Sequence, residues 1–161
     1  MQGSPETNKM PRAPVLLVGV GNILLRDEGF GPHVIKALGD VQLPPCVELL
    51  DGGTAGTGLL DFIRDRQKVI FIDAVKADAA PGSIFRMTAE DFAKSPGQSI
   101  SLHEFGLGQT LLMAKQLNCA PRQVILFGVT PKDISCGLEL SAEVAAAIPG
   151  VIELILDELR A

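Results

Sequence analysis

Apolar positions along this chain come in compact runs separated by stretches of helical spacing. Val15 to Val18, Val69 to Ile72 and Val124 to Phe127 are short continuous apolar runs, the pattern of strands covered on both faces of a parallel sheet. Val47 to Leu50 reads as a further strand, followed by a turn at Asp51-Gly52-Gly53-Thr54. Between the runs, Val34, Ile35 and Leu38 predict a helix over Gly31 to Asp40 that Gly39 is placed to end. Leu59, Leu60 and Ile63 predict a second helix, and Leu107, Leu111, Leu112 and Ala114 predict a third from about Glu104 to Leu117. Pro81-Gly82 introduces Ser83 to Met87 too soon after the preceding strand for a helical crossover, so this segment is expected to be an antiparallel edge strand. Ser95 to Ser101 reads as a loop. Ser141 suits an N-cap, and helical character then runs to Leu159, with Pro149-Gly150 expected to kink or split it.

Strands alternating with helices imply an open, mainly parallel α/β sheet covered on both faces. With 161 residues, 47% of them hydrophobic, the chain can bury one core and is too short for two of ordinary size. Met1 to Ala13 carries Pro, Gly, Ser, Asn and Lys without periodicity and reads as a flexible leader, leaving residues 14–161 as a single domain. The formal charge is -5 and the basic residues are scattered, which argues against a nucleic-acid partner. No apolar run approaches the roughly 18 residues of a membrane span, and the N-terminal stretch lacks the apolar core of a secretory signal. The expectation is a soluble, cytoplasmic protein, and nothing in the sequence demands more than a monomer. Cys46, Cys119 and Cys136 are too few and too widely spaced for a disulfide framework or a CxxC metal clasp.

Sheets of this kind bind ligands beyond the carboxyl ends of their strands. Polar groups cluster at three such ends: Gly21 to Glu28, Asp51 to Thr54, and Asp73. Gly19-Val-Gly21-Asn22 resembles the opening of a dinucleotide loop, but Leu24 stands where the third glycine belongs, and no GxxxxGK sequence occurs. There is also no GxSxG elbow and no cysteine at a strand-to-helix turn, so covalent catalysis fits poorly. Asp27 and Glu28, taken alone, read as solvated loop charges or a helix N-terminal pair favoured by the dipole. Asp73 follows Val-Ile-Phe-Ile directly, so its carboxylate emerges from buried backbone and needs a compensating partner. That partner could be an amide, an arginine or a metal. His103 stands where a loop enters a helix, a place from which it could face the sheet end. Glu28, Asp73 and His103 together offer two hard oxygens and one imidazole, a set suited to nickel or zinc with coordination positions left open. His33, near the start of the first helix, ranks behind His103 as a ligand.

The stretch Val18-Gly-Val-Gly-Asn-Ile-Leu-Leu-Arg-Asp-Glu-Gly29 resembles the signature of hydrogenase maturation proteases. Four further blocks follow in the same order: Leu50 to Gly56, Ile72-Asp73-Ala74, Ser101 to Leu107, and Phe127-Gly-Val-Thr-Pro131. The similarity extends over about Val15 to Leu159. It implies a three-layer α/β/α sandwich on a five-stranded, mostly parallel sheet with one antiparallel edge strand. It also implies an endopeptidase that removes a C-terminal extension from a nickel-loaded nickel-iron hydrogenase large-subunit precursor, the expected partner. The family's ligands fall on Glu28, Asp73 and His103, and nickel is the implied ion, brought by the protein or by the substrate, with zinc or cadmium able to replace it in a crystal. The acidic pair ends in Glu here where some relatives carry Asp. Asp51 is a candidate for a further polar role at the cleaved bond, or else it only bonds its own glycine turn. The rival expectation is an assembly factor that binds the nickel-loaded subunit without cutting it.

Overall fold

The computed structural model describes residues 12–94 and 106–161. Five strands form one sheet: β1 (Val15–Val20), β2 (Val47–Gly53), β3 (Lys68–Ala74), β4 (Ile84–Thr88) and β5 (Gln123–Val129). Their spatial order is β2-β1-β3-β5-β4. The pairs β1–β2, β1–β3 and β3–β5 are parallel, while β4 runs antiparallel to β5 at the edge, as the short Pro81-Gly82 connection predicts.

Alternation within each apolar run supplies both faces of the sheet. Leu17, Ile70, Ile72, Ile125, Phe127 and Val129 look to one side, where they meet Phe30, Val34, Ile35 and Leu38 of helix α1 (Phe30–Leu38). Val144 of the short helix α5 (Ala142–Ala145) and Val151 and Ile155 of α6 (Ile148–Arg160) complete that layer. Leu16, Val18, Val69, Phe71, Val124 and Leu126 look to the other side. There they meet Leu59 of a 3-10 turn (Gly56–Leu59), Ile63 of α2 (Leu60–Ile63) and Leu107 of α4 (Leu107–Gln116). The result is the expected three-layer arrangement. Each fully buried Leu, Ile or Phe in these layers contributes roughly 1.5–3 kcal/mol of transfer free energy.

Several boundaries differ from the sequence reading. β1 continues through Gly19 to Val20, and β2 continues through Asp51 and Gly52 to Gly53, so the expected turn after Leu50 is the end of the strand itself. Pairing with a neighbour extends a strand past residues whose own propensity is for turns. Asp73 likewise lies within β3, one residue before its end. The 3-10 turn Arg26–Gly29 precedes α1 directly and carries Glu28. Helix α3 (Ala89–Lys94) was not foreseen. The C-terminal helical stretch is split as expected, but the break falls at residues 146–147, and Pro149 sits in the first turn of α6, where its missing N–H costs nothing. The leader up to residue 11, the loop at 95–101, His103 and the expected beginning of the third helix at Glu104 lie outside the described residues.

Candidate active site

Register places the candidate carboxylates at one end of the sheet. Gly19 of β1 is level with Asp51 of β2 on one side and with Ile72 of β3 on the other, so Asp51 and Asp73 flank the end of β1 within a residue of the same height. Pleat alternation then separates them. Asp51 shares the face of Ile72 and α1, whereas Asp73 shares the face of Phe71, which α4 helps to cover.

Close backbone packing brings the turn that bears the third carboxylate to the same end of the sheet. A Cβ on Gly31, in the first turn of α1, would collide with the carbonyl oxygens of Ile72 and Val20, so only glycine lets α1 start this close to the ends of β1 and β3. The turn bearing Glu28 packs against β3 as a consequence. Gly21, with φ at +144°, leaves β1 in a conformation that disfavours side chains, and a Cβ there would overlap the Glu28 carbonyl oxygen. Of the glycines that resemble a nucleotide loop, Gly21 thus makes room for the Glu28 backbone, and Gly19 for Gly31 and Ile35 of α1.

Asp73 is buried and Glu28 is half-buried. Among the described residues no three His, Cys, Asp or Glu side chains gather as a metal site. The proposed triad includes His103, so that absence does not bear on it. The donors that are described, the carboxylates of Glu28 and Asp73, are of the type that suits a hard or borderline divalent ion.

Asp27 behaves quite differently from a solvated loop charge. It is fully buried, and its Oδ2 accepts hydrogen bonds from the backbone N–H groups of Lys132 (2.8 Å) and Asp133 (2.9 Å) and from the Ser141 hydroxyl (2.8 Å). Its Oδ1 accepts one from the Ser141 N–H at 2.7 Å. Burial pushes its pKa up, but the bonds from Asp133, Ser141 and Lys132 outweigh burial and hold the carboxyl below the ordinary aspartate range. Ser141 does occupy the N-cap position of α5, yet makes no side-chain cap bond; its hydroxyl is turned to Asp27. Local sequence could not reveal this arrangement, since the partners lie 105 to 114 residues apart.

Beside this clamp runs a groove of about 410 Å³ lined by Ile23, Pro32, His33, Lys36, Asp51 and Leu138 among others. Ile23 and Leu138, 48% and 65% exposed, give this groove an apolar wall on the solvent side. The Oδ1 of Asp51 accepts the Gly53 N–H at 3.0 Å, the bond to its own glycine turn that the sequence suggests, and Asp51 also lines the groove. His33, half-buried, lies in the groove with it. Cys46 and Cys136 are exposed and Cys119 is buried, and all three are free.

A family model described as hydrogenase maturation protease (HycI) matches residues 32–158. The chain is 36% identical over 148 residues to the hydrogenase 2 maturation protease of Escherichia coli K12, covering 91% of this chain and 90% of that one. The solved structure of the E. coli hydrogenase maturating endopeptidase HybD superposes with a TM-score of 0.83 at 36% identity, covering 91% of each chain. The [NiFe] hydrogenase maturation protease HybD of Thermococcus kodakarensis superposes at 0.73 with 28% identity, over 90% of this chain and 98% of that one. Sequence and architecture agree, and the chain belongs to the hydrogenase maturation protease family.

Proposed function

We propose that this protein is an endopeptidase that removes a short C-terminal extension from the nickel-loaded large-subunit precursor of a nickel-iron hydrogenase, with Glu28, Asp73 and His103 as the metal ligands. The observation that carries the reading is the convergence of the turn bearing Glu28 and the end of β3 bearing Asp73 at the carboxyl end of the sheet, with α4 helping to cover the face that Asp73 shares. Nickel held there, whether it arrives in the precursor or with the protease, would supply Lewis-acid polarisation of the peptide to be cut. Glu28 and Asp73 bring the negative charge that binds a dication, and their fixed backbones preorganise the ligand geometry. Asp51 and His33 line a groove at this end of the sheet, where Asp51 would orient the peptide or its attacking water. The apolar walls at Ile23 and Leu138 suit an extended precursor segment with apolar side chains. Membership of a protease family favours cleavage over an assembly role without cutting.

The test is mass spectrometry of a nickel-loaded large-subunit precursor incubated with the protein. Wild type is expected to release a short C-terminal peptide, and His103→Ala to lose that release while remaining folded. A stable complex with intact precursor would overturn the protease reading in favour of an assembly factor. Full cleavage by His103→Ala would remove His103 from the site.

A further inference from the structure

We propose that Asp27 is a positioning residue for the cleavage reaction: its buried carboxylate fastens residues 132–141 to the turn that carries Glu28, fixing that turn and one wall of the substrate groove together. The role rests on the proposed assignment of Glu28 and of the groove to substrate processing.

The two segments meet through a dense set of bonds. Besides the four to its carboxylate, Asp27 donates its own N–H to the Asp133 carbonyl at 3.0 Å. Arg26 N–H donates to the Gly137 carbonyl at 3.0 Å, and Gly137 N–H donates back to the Leu24 carbonyl at 2.9 Å. Leu25 and Gly137 form an isolated parallel bridge. On its other side the same turn is braced by Gly21, whose Cα faces the Glu28 carbonyl. Glu28 thus sits on backbone held from two directions, and Asp27 is the only side chain among the described residues that bonds to three points of the 132–141 segment. That segment also carries Leu138, the groove wall. Residues 132–141 contain no helix or strand of their own, so their shape depends on what they are tied to. A carboxylate is the side chain suited to the task, because three backbone N–H groups and a hydroxyl converge and all of them donate. Asn in its place would offer one acceptor oxygen and set an NH₂ against a donor.

The experiment compares wild type, Asp27→Asn and Ser141→Ala in two readouts. The first is amide hydrogen exchange of the isolated protein; the second is kcat and KM for release of the C-terminal peptide from the nickel-loaded precursor, normalised to folded protein. Asp27→Asn is expected to speed exchange at Lys132, Asp133 and Ser141 selectively, and to lower kcat/KM by about tenfold or more, as a small misplacement of catalytic groups does. Ser141→Ala, which removes one of the four bonds and preserves the charge, should show the same pattern at a few-fold and keeps the test open if Asp27→Asn fails to fold. Unchanged exchange at those three amides overturns the clamp. Faster exchange with wild-type kcat and KM overturns the positioning role and leaves Asp27 a purely structural residue. Failure of the wild type to cut the precursor condemns the substrate reading instead, with the clamp still judged by exchange.

Discussion

Gly21 and Asp27 lie six residues apart and show how differently two positions of one motif can be read. Gly21 is legible in outline: a glycine directly after a buried strand signals a tight turn. What it makes room for is not legible, because the Glu28 carbonyl oxygen reaches it only through the folded turn. We expect Gly21→Ala to cost about 1–3 kcal/mol, from the positive φ and the overlap combined. Urea denaturation would report the stability, and precursor cleavage should fall further than the folded fraction does, since Glu28 must shift to relieve the contact. Asp27 shows no local sign of its role. Its neighbours in sequence, Arg26 and Glu28, are charged, and a charged triplet in a Gly-flanked loop reads as solvated. Burial of its carboxylate is favourable only because donors from residues 132, 133 and 141 arrive together, and no pattern within a window of a dozen residues encodes that arrival.

Elements show the same division. The apolar runs of β1, β3 and β5 are unmistakable, whereas their ends extend beyond the apolar residues because ladder pairing continues for as long as a neighbour is present. Helix α6 is legible from its apolar face and its C-terminal polar residues, but what anchors its far end is tertiary. Glu158 accepts bonds from Nε and a terminal nitrogen of Arg86 on β4, both at 3.0 Å, and its backbone carbonyl accepts one from Lys68 Nζ on β3 at 3.1 Å. The Arg86 bonds outweigh burial and hold the Glu158 carboxyl below the ordinary glutamate range. A depressed folded-state pKa means this contribution is complete above the unfolded glutamate pKa and disappears as pH falls through the folded one. Arg86 is 44% exposed, so solvent screening limits the pair to about 1 kcal/mol. Glu158→Gln should therefore lower Tm at about pH 7, by a deficit that shrinks as pH falls below the ordinary glutamate range and through the depressed folded-state pKa. A deficit that does not change with pH would show that packing, not charge, anchors the helix.

At the scale of the whole molecule, most apolar surface is committed to the two core layers, and part of what remains exposed lines one groove. The two layers of core residues are closed over both faces of the sheet, while Ile23 and Leu138 remain exposed along the groove. Leu138→Ala should change stability by no more than about 0.5 kcal/mol, as expected for an exposed side chain. Its effect should fall on KM for the precursor, raised several-fold with kcat preserved, because the wall that meets substrate is shortened while the turn of Glu28 stays tied to Asp27. An unchanged KM would take Leu138 out of the substrate path. No helix among the described residues is long and apolar enough to cross a membrane.

The sequence by itself determined the order of the strands and of every helix but α3, the antiparallel edge strand and the family, and it brought Glu28, Asp51 and Asp73 to notice. These are properties of short windows: apolar runs, the helical period, turn residues, and five motif blocks in order. Only the tertiary structure decided that Asp51 and Asp73 face opposite sides of the sheet, that Asp51 and His33 share a groove with Leu138, and that Asp27 is a buried clamp rather than a solvated charge. Each of those depends on strand register or on contacts between residues far apart in the chain. Register is set by the pairing of whole strands, and a buried carboxylate is tolerated only where distant donors converge on it, so neither can be read from the residues on either side.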